Sequence, residues 1–530
     1  MWLEVDRSSF EVRQQGLDRR PAPAGGHLYV SPGRHLDSAK DLVDAEYCQA
    51  VEVDPHGRTV SFGRDYLGHY PMIYAQARGK LFISDEPARV RGWLTGQGVA
   101  LTLSEEAVAL YFAMGYVPQG MTLHNEIKTC RNASLYHWKA GQITSESTFA
   151  PVAPDPRFPL AELGARIDAG IEEILETGKP VDVWCSGGLD SSIVATVFGR
   201  HGNGAELLTL TYDELLQSDA SELRFAEDLS KHLGATLRHA PLTRENFCDT
   251  FREYASTHIG PAVDYVVPLK YALAKATRRI GVTGEGGDPL FSGAKNNFIV
   301  YLRGRHRELS LGKVYAMAHK RLYECVPEIL KHGAELSGFV DSYLGKILDS
   351  YPGDLLRKLF YVNTLEKQGG MIFPKNYYAG RSYRVEVFHP LTALEVYRAA
   401  FSLPDERKYV YPSGKLALIE LYKNELPKVI VDRRKSGTRL PLEAYVSYLV
   451  ESGMDLDILK DTGFFREEKL DRLLKDCPRR REELVLLYGL LSLSAWLGYN
   501  GSEAKPEGRL TTCISTSFAT MASTAAKPLL

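Results

Sequence analysis

The hydrophobic and polar positions divide the chain into two regions of different texture. Up to about residue 150, apolar residues alternate with polar ones over short stretches, as in "HLYVSPG", "CQAVEVDPHGRTVSFGRD" and "PMIYAQARGKLFISDEP". Gly, Pro or Asp residues bound these stretches, which is typical of half-buried antiparallel strands. We therefore predict a β-rich N-terminal domain over residues 1–150.

Helices alternate with strands after this region. The helical pattern "LAELGARIDAGIEEILET" precedes the strand "VDVWCS", and the strands "ELLTLTY" and "TLRHAPL" follow between further helical patterns. This order favours an α/β domain in which helices cover a parallel sheet. After about residue 295 the pattern is mainly helical. The apolar run "LVLLYGLLSLSAWLGY" is too short and too interrupted to span a bilayer, so we predict a buried helix there.

Two segments without such patterns complete the organisation. "APVAPDPRFP" places four prolines in ten residues, which disfavours a helix and indicates a linker, assigned to residues 151–159. The second domain then covers residues 160–502. Residues 503–530 are rich in Ser, Thr and Ala, and we predict a poorly ordered tail.

Composition narrows the class of protein. The chain has 530 residues, a formal net charge of −2 and seven scattered cysteines without a CxxC pair. The near-neutral charge gives no reason to expect nucleic acid or a membrane as a partner. An odd number of scattered cysteines disfavours a disulfide framework or a zinc site and favours a reducing cytosol. The N-terminus is charged and lacks the apolar stretch of a signal peptide, so we expect a cytoplasmic protein.

The clearest chemical signal is "VDVWCSGGLDSSIVATVFG", residues 181–199. Ligands of parallel α/β sheets bind at the carboxyl ends of the strands, and a helix N-terminus favours anions. The sequence therefore predicts a phosphate-binding loop formed by Ser186, Gly187, Gly188, Leu189, Asp190, Ser191 and Ser192. The loop lacks the lysine of GxxxxGK[ST], so it is not a Walker loop, and Asp190 among phosphates suggests a magnesium ligand. The alternative interpretation is a plain glycine turn with a serine N-cap.

A second motif, "GVTGEGGDPLFSG" at residues 281–293, again places glycines and acids after an apolar strand. The first motif resembles the pyrophosphate loop of the N-type ATP pyrophosphatases, which cleave ATP to AMP and pyrophosphate. The second resembles the TGEGADELFGGY segment of the asparagine synthetase B family. Collinear resemblance continues through "SFGRDYLGHYPMIYAQARGKLFISDE", "GYVPQGMTLHNEIKTCRNASLYHWKAGQ" and "LPKVIVDRRKSGTRLPLEAY", and so extends over nearly the whole chain.

The resemblance implies a fold and a set of site residues. The implied fold is α/β, with an N-terminal Ntn-amidotransferase-like αββα sandwich and a C-terminal adenine nucleotide α-hydrolase-like synthetase domain (PP-loop, Rossmann-like) with helical additions. The implied site comprises the catalytic residues Glu285, Lys435 and Glu386, the ATP contacts Gly284 and Gly286, and Mg²⁺ held by Asp190 and Asp288. In this assignment, Lys435 neutralises charge on pyrophosphate and on the developing oxyanion. Glu285 is the acid–base group, and Glu386 orients it.

Two departures from the family change the expected reaction. A glutamine-dependent synthetase needs cysteine directly after the initiator methionine, and this chain has Trp2 at that position. We therefore expect an inactive glutaminase-like domain and no internal ammonia source. The family segment VEARVPFLD becomes "VEVFHPLTALEV", which replaces arginine by Phe388 and aspartate by Ala393. Free aspartate is then a poor candidate substrate, because its pocket would keep such charges.

Members of the superfamily that lack the cysteine include β-lactam synthetases, carbapenam synthetases and the macrolactam-forming cyclases of lasso peptides. The β-lactam types usually carry tyrosine where this chain has Glu285, which favours the lasso peptide cyclase branch. We therefore predict an AMP-forming, ATP-dependent carbon–nitrogen ligase. It would adenylate a side-chain carboxylate of a peptide or small-molecule substrate and close a macrolactam with an amine of the same molecule. This branch implies a precursor-peptide protease and a leader-binding protein as partners.

Other interpretations stay open at this point. A β-lactam or carbapenam-type synthetase is one of them. An asparagine synthetase-like ligase with an external amine or ammonia is another, and product mass would distinguish it, because it adds an amine whereas internal closure removes one water from one molecule. RNA-modifying pyrophosphatases share the loop, but the near-neutral charge and the second motif count against them. A non-catalytic interaction protein is disfavoured because Asp190, Asp288 and Lys435 are all present.

Overall fold

The computed structural model describes residues 1–22, 25–32, 34–201, 206–212, 223–264, 266–319, 322–433, 441–476 and 480–501. Lys435 and the tail predicted at residues 503–530 lie outside the described residues.

The N-terminal region consists of two antiparallel sheets. Its strands in chain order are β1 (Trp2–Asp6), β2 (Val12–Gln15), β3 (Asp18–Pro21), β4 (His27–Val30), β5 (Gln49–Asp54), β6 (Thr59–Arg64), β7 (Ile73–Ala77), β8 (Lys80–Ser84), β9 (Lys128–Thr129), β10 (Ser134–Lys139) and β11 (Gln142–Ser147). One sheet has the order β2-β1-β8-β7-β9 and the other the order β11-β10-β6-β5-β4-β3. The alternating apolar positions predicted from the sequence point between the sheets, where Leu3, Val51, Phe62 and Trp138 share one buried cluster.

Helical segments cover the outer faces of both sheets. Helix α1 (Pro87–Gly96) packs Val90 and Leu94 against the first sheet, and a 3₁₀ helix at Ala39–Asp44 packs against the second. Helix α2 (Glu105–Met114) faces the second domain instead. This arrangement agrees with the predicted αββα sandwich.

The second domain is built on a five-stranded parallel sheet of order β14-β13-β12-β15-β16. Its strands are β12 (Val181–Trp184), β13 (Glu206–Tyr212), β14 (Leu237–Leu242), β15 (Ile280–Thr283) and β16 (Glu386–Phe388). The helices that alternate with these strands are α3 (Leu160–Glu176), α4 (Leu189–Arg200), α5 (Leu223–Leu233), α6 (Arg244–Thr257) and α7 (Val267–Ala276). All four residues of β12 and of β15 are buried, as expected for the centre of a parallel sheet.

Helices dominate the chain after β15, as the sequence pattern predicts. They are α8 (Gly287–Phe291), α9 (Ala294–Arg305), α10 (Leu311–His319), α11 (Val326–Ile329), α12 (Gly333–Asp349), α13 (Leu355–Tyr361), α14 (Phe373–Tyr383), α15 (Leu394–Ser402), α16 (Asp405–Lys408), α17 (Leu416–Tyr422), α18 (Lys428–Val431), α19 (Leu442–Glu451), α20 (Asp457–Asp461), α21 (Glu467–Asp476) and α22 (Arg481–Asn500). Short 3₁₀ helices lie at Tyr323–Cys325 and Pro390–Thr392, and a small hairpin joins β17 (Tyr409–Val410) to β18 (Ser413–Gly414). The predicted apolar helix is α22, which is buried along most of its length. No helix in the described residues is both long and apolar enough to cross a lipid bilayer.

A π-helical segment, Val362–Ile372, joins α13 to α14 and is held by the N-terminal domain. Gln119 Nε2 donates to the Leu365 carbonyl at 2.7 Å and to the Glu366 carbonyl at 3.1 Å. Arg64 donates to the Gly369 carbonyl at 3.3 Å. The two domains are therefore joined by specific polar contacts as well as by a shared apolar core.

Helix α14, the continuation of this segment, is held by the N-terminal domain as well. The hydroxyl of Tyr377 donates to Asp85 Oδ2 at 2.6 Å, and the hydroxyl of Tyr378 donates to the Asp85 carbonyl at 3.2 Å. Arg381 forms ion pairs with Asp85 and Glu86. The sandwich thus contacts both the π-helical segment and the helix that follows it.

Candidate active site

The two glycine-rich motifs meet at one edge of the parallel sheet. Strands β12 and β15 are neighbours, and Trp184 at the end of β12 pairs with Thr283 at the end of β15. Both motifs therefore leave the sheet at the same level. This is the edge at which parallel α/β sheets bind ligands.

The first loop has the geometry of an anion site. Gly187 has φ +68°, and a Cβ there would overlap Phe225, so only glycine fits. Ser191 Oγ accepts from the Ser186 amide at 3.2 Å and donates to the Gly188 carbonyl at 3.1 Å, which fixes the turn. Helix α4 begins directly afterwards at Leu189, with Ser192 buried in its first turn. The N-terminus of α4 therefore closes the loop, and such a position favours phosphate.

The second loop packs directly on the first. A Cβ on Gly284 would overlap the backbone of Asp190 and Ser191, so the two loops are in contact at this glycine. Gly286 follows and precedes the short helix α8, which carries Asp288 in its first turn. The structure thus brings the two predicted metal ligands, Asp190 and Asp288, to the same place.

A lysine lies between these two aspartates. Lys415 forms ion pairs with Asp190 and, at 2.6 Å, with Asp288 Oδ1. It follows the hairpin of β17 and β18, and its amide donates to the Phe291 carbonyl at 2.7 Å. Burial works against its charge, but the two carboxylates outweigh burial and raise the pKa of Lys415 above its ordinary value. Sequence reasoning missed this residue.

The two carboxylates supply oxygen atoms that could bind a cation. Asp190 Oδ1 is buried and has no hydrogen-bond partner among the described residues. The side chain of Asp288 is half exposed. Mg²⁺ typically takes one or two carboxylates and completes its shell with phosphate oxygens and water. Asp190 and Asp288 fit that requirement.

Glu285 lies next to this centre and is held by three donors. Lys270 Nζ and Lys375 Nζ lie 3.1 Å and 3.0 Å from Glu285 Oε1, and Asn376 Nδ2 donates to Oε2 at 2.8 Å. Burial opposes the ionised form, but the two lysines outweigh it and hold the pKa of Glu285 well below its ordinary value. The carboxylate is therefore ionised, and its basicity is low while both lysines contact it. Its predicted acid–base role stays a prediction.

His389 borders the same cluster. Its Nδ1 lies 2.9 Å from Thr283 Oγ1, and its backbone amide donates to the hydroxyl of Tyr47 at 2.8 Å. Burial lowers the pKa of His389 to about 3, so the ring is neutral at physiological pH. Through Tyr47, the N-terminal domain reaches the residue that flanks the Glu285 cluster.

The structure contradicts the role predicted for Glu386. Strand β16 runs parallel to β15 and pairs Glu386 with Ile280, at the amino end of the strand. Glu285 follows the carboxyl end of β15, so the two glutamates lie at opposite ends. Glu386 instead forms an exposed ion pair with Lys179 at 2.7 Å. The groups that orient Glu285 are Lys270, Lys375 and Asn376.

The positions that depart from the resembled family are also resolved. Phe388 packs edge-on against Tyr47 with 5.0 Å between ring centroids. Ala393 lies against α3, where a Cβ on Gly170 would be 3.6 Å away. Neither position supplies a charge, as the sequence indicated.

The family model for asparagine synthase matches residues 162–498, which includes both glycine loops. The chain belongs to the asparagine synthase family. A relative from Bacillus subtilis (strain 168), asparagine synthetase [glutamine-hydrolyzing] 1, is 20% identical over 484 residues, covering 82% of this chain and 75% of the relative. A putative asparagine synthetase [glutamine-hydrolyzing] from Mycobacterium bovis is 23% identical over 251 residues, covering 44% of this chain and 38% of the relative. An asparagine synthetase [glutamine-hydrolyzing] from Sandersonia aurantiaca is 26% identical over 192 residues, covering 34% and 35%.

As an asparagine synthase family member, the protein is an ATP-dependent carbon–nitrogen ligase. The paired loops around Asp190, Lys415 and Asp288 are the part of the structure suited to ATP. Lys435, the lysine predicted to act on pyrophosphate, lies outside the described residues.

Three of the residues that sequence reasoning missed share one signal. Lys270, Lys375 and Asn376 are polar residues in helices whose buried positions are mainly apolar or aromatic, "VPLKYALAKA" and "FPKNYYAGRSY". A lysine in such a setting is rarely buried without a partner. The pattern indicates a buried anion nearby, although it does not say which one.

Proposed function

We propose that the protein is a macrolactam-forming synthetase, similar to the lasso peptide cyclases. It would adenylate a side-chain carboxylate of a peptide and close an amide with an amine of the same molecule. A carboxylate oxygen attacks the α-phosphorus of ATP and the bond to pyrophosphate breaks. The amine nitrogen then attacks the acyl carbon, the bond to AMP oxygen breaks, and the nitrogen loses its extra proton.

The observation that carries this proposal is the thiol chemistry of the N-terminal domain. Its two cysteines, Cys48 and Cys130, are both buried. Burial raises the pKa of the Cys48 thiol to about 12 and also raises that of Cys130. A nucleophilic cysteine needs a lowered pKa and an accessible thiol. Glutamine is therefore a poor nitrogen source for this chain, and an amine already on the substrate takes its place.

Different residues of the chain would bind ATP and accept the proton. The first loop and the N-terminus of α4 bind the polyphosphate, and Lys415 neutralises charge between the two loops. Asp190 and Asp288 would hold Mg²⁺, which neutralises phosphate charge when bound. Glu285, close to both loops, is the candidate acceptor of the proton that the attacking nitrogen loses.

A panel of synthetic peptides tests the proposal. Each peptide has a free α-amine and one Asp or Glu, which is moved along the chain from peptide to peptide. Purified protein with MgATP is expected to convert at least one of them to a product lighter by one water, with one AMP and one pyrophosphate per ring. The Asp190→Ala variant is the control without turnover.

The alternative activity is that of an asparagine synthetase-like ligase with external ammonia, which the similarity to asparagine synthetases favours. Incubation with aspartate, ammonium and MgATP measures it directly. Asparagine formation without any cyclic product would refute the macrolactam proposal. Release of ADP and phosphate with either substrate would refute the adenylation mechanism itself.

A further inference from the structure

Two lysines from separate helices meet on one carboxylate oxygen at the edge of the nucleotide site. Lys270 from α7 and Lys375 from α14 both contact Glu285 Oε1. His389 beside them is neutral, since burial lowers its pKa to about 3. Asp264 also acts on Lys270, but its carboxylate accepts from the Val266 amide at the start of α7. At Glu285 Oε1 itself, two ammonium groups meet one carboxylate.

Two ammonium groups on one carboxylate oxygen give this contact an excess of positive charge. Lys375 is 3% exposed. Buried charges are costly unless they are paired. An ammonium group carries three N–H donors, and Glu285 Oε1 takes one contact from each lysine. The pair can therefore accept a second anion without losing the first.

The lysines lie beside the predicted phosphate loop. Lys270 Nζ lies 5.3 Å above the ring of Trp184, the last residue of β12, two residues before the phosphate loop. Glu285 directly follows Gly284, which packs on the loop backbone. The cluster is thus next to the predicted phosphate loop, and its two lysines come from different elements than that loop.

The positions that depart from the resembled family also draw attention to these two lysines. The chain has Phe388 and Ala393 where the resembled family has arginine and aspartate. Phe388 is occupied in packing against Tyr47. The cations near the reacting centre are supplied instead by helices α7 and α14. A carboxylate recognised there need not belong to a free amino acid.

We propose that Lys270 and Lys375 are the recognition site for the carboxylate that the enzyme activates, and that this carboxylate shares the two lysines with Glu285. The inference rests on the proposed function, since it names the residues that select an acidic side chain of the substrate. Both lysines would contact the substrate before adenylation.

A binding experiment without turnover tests this site. The probe is N-acetyl-L-glutamate α-amide, which presents one side-chain carboxylate, and the readout is the fluorescence of Trp184 beneath Lys270. We expect a saturable change in wild type and none in Trp184→Phe, because the other tryptophans are not in contact with the lysine. Lys375→Met should lower the affinity for the probe by about tenfold or more, which is the loss typical of a hydrogen bond to a charged group. Lys179→Met, at the opposite end of the same sheet, is the matched control and should bind normally.

The Glu285→Gln variant should change the affinity for the probe in the opposite direction. This test does not require a lysine variant to fold. Removing the internal competitor should tighten probe binding by about tenfold, because the Glu285 carboxylate no longer competes with the probe for the two ammonium groups. Unchanged or weaker binding in Glu285→Gln would overturn the proposal, and so would normal binding in Lys375→Met. If Lys375→Met weakened MgATP as much as the probe, the lysines would be nucleotide contacts and the proposal would be wrong. Asparagine as the enzymatic product would refute the macrolactam but not this site.

Discussion

Replacing Lys415 by methionine tests the arrangement of the two loops. The Lys415 side chain is 8% exposed and lies between Asp190, 19% exposed, and Asp288, 50% exposed. Removing one partner of a buried ion pair costs ~3–5 kcal/mol. Water and salt screen the Asp288 contact because that side chain is half exposed, so the Asp190 contact dominates. We expect Lys415→Met to lose about 2–3 kcal/mol of unfolding free energy.

Magnesium should distinguish this effect from simple loss of packing. In wild type, Lys415 already offsets one of the two negative charges of the carboxylates that would hold the ion. In Lys415→Met both carboxylates are uncompensated, so Mg²⁺ should bind the folded state more tightly and restore part of the lost stability. The assay is thermal unfolding at low salt with and without MgCl₂. The variant should unfold several degrees lower without the ion and show the larger gain with it.

Lys460→Met is the matched control. Lys460 also bridges two aspartates, Asp457 at 3.1 Å and Asp471 at 2.7 Å, but on the exposed surface of α20 and α21. Exposed pairs contribute little, so its unfolding midpoint should not change and should not respond differently to Mg²⁺. The reasoning fails if Lys415→Met unfolds at the wild-type temperature, or if its response to Mg²⁺ equals that of Lys460→Met.

Three further predictions concern other groups. Glu285→Gln should keep substrate-dependent pyrophosphate exchange but slow amide closure by ~10²-fold or more, measured by exchange and by product mass, because it removes the proton acceptor. Burial lowers the pKa of Lys408 to about 8, below the ordinary lysine value of 10.5 that applies in the unfolded chain, so the free energy of unfolding should rise between those pH values. Thermal unfolding of Lys408→Met should show no such rise, because methionine does not titrate in the folded or the unfolded state. Glutamine should release no glutamate at any ATP concentration, because Cys48 and Cys130 are buried thiols.

Each of these has a result that would contradict it. Equal losses of exchange and closure in Glu285→Gln would make this residue a positioning group. A rise in stability that persists in Lys408→Met would come from other groups that titrate above pH 8. Glutamate release by the purified protein would require a nucleophile that the described thiols do not supply.

The sequence predicted most of the sheet and both loops, for a physical reason. Buried parallel strands are continuous apolar runs, and the glycines after β12 and β15 mark close approaches that no other residue permits. "ELLTLTY" coincides with β13 at Glu206–Tyr212. These signals are local, so they can be read from short stretches of the chain.

The partners within the site could not be predicted in the same way. Glu386 was misplaced because its position depends on the register of β16 against β15, which a single sequence does not reveal. Lys270 reaches Glu285 from the helix before β15, and Lys375 reaches it from α14, about a hundred residues further along the chain than Lys270. Such contacts are set by helix packing, and only the folded chain brings them together.

The hydrogen bonds between the N-terminal sandwich and the π-helical segment with α14 have a consequence for the candidate site. Helix α14 carries Lys375 and Asn376, and the domain holds that helix through Asp85 while Gln119 holds the segment before it. The N-terminal domain therefore holds in place a helix that carries part of the candidate site. Substitutions that weaken these contacts, even far from the two glycine loops, should therefore let Lys375 move away from Glu285. They should lower turnover before they lower the unfolding temperature.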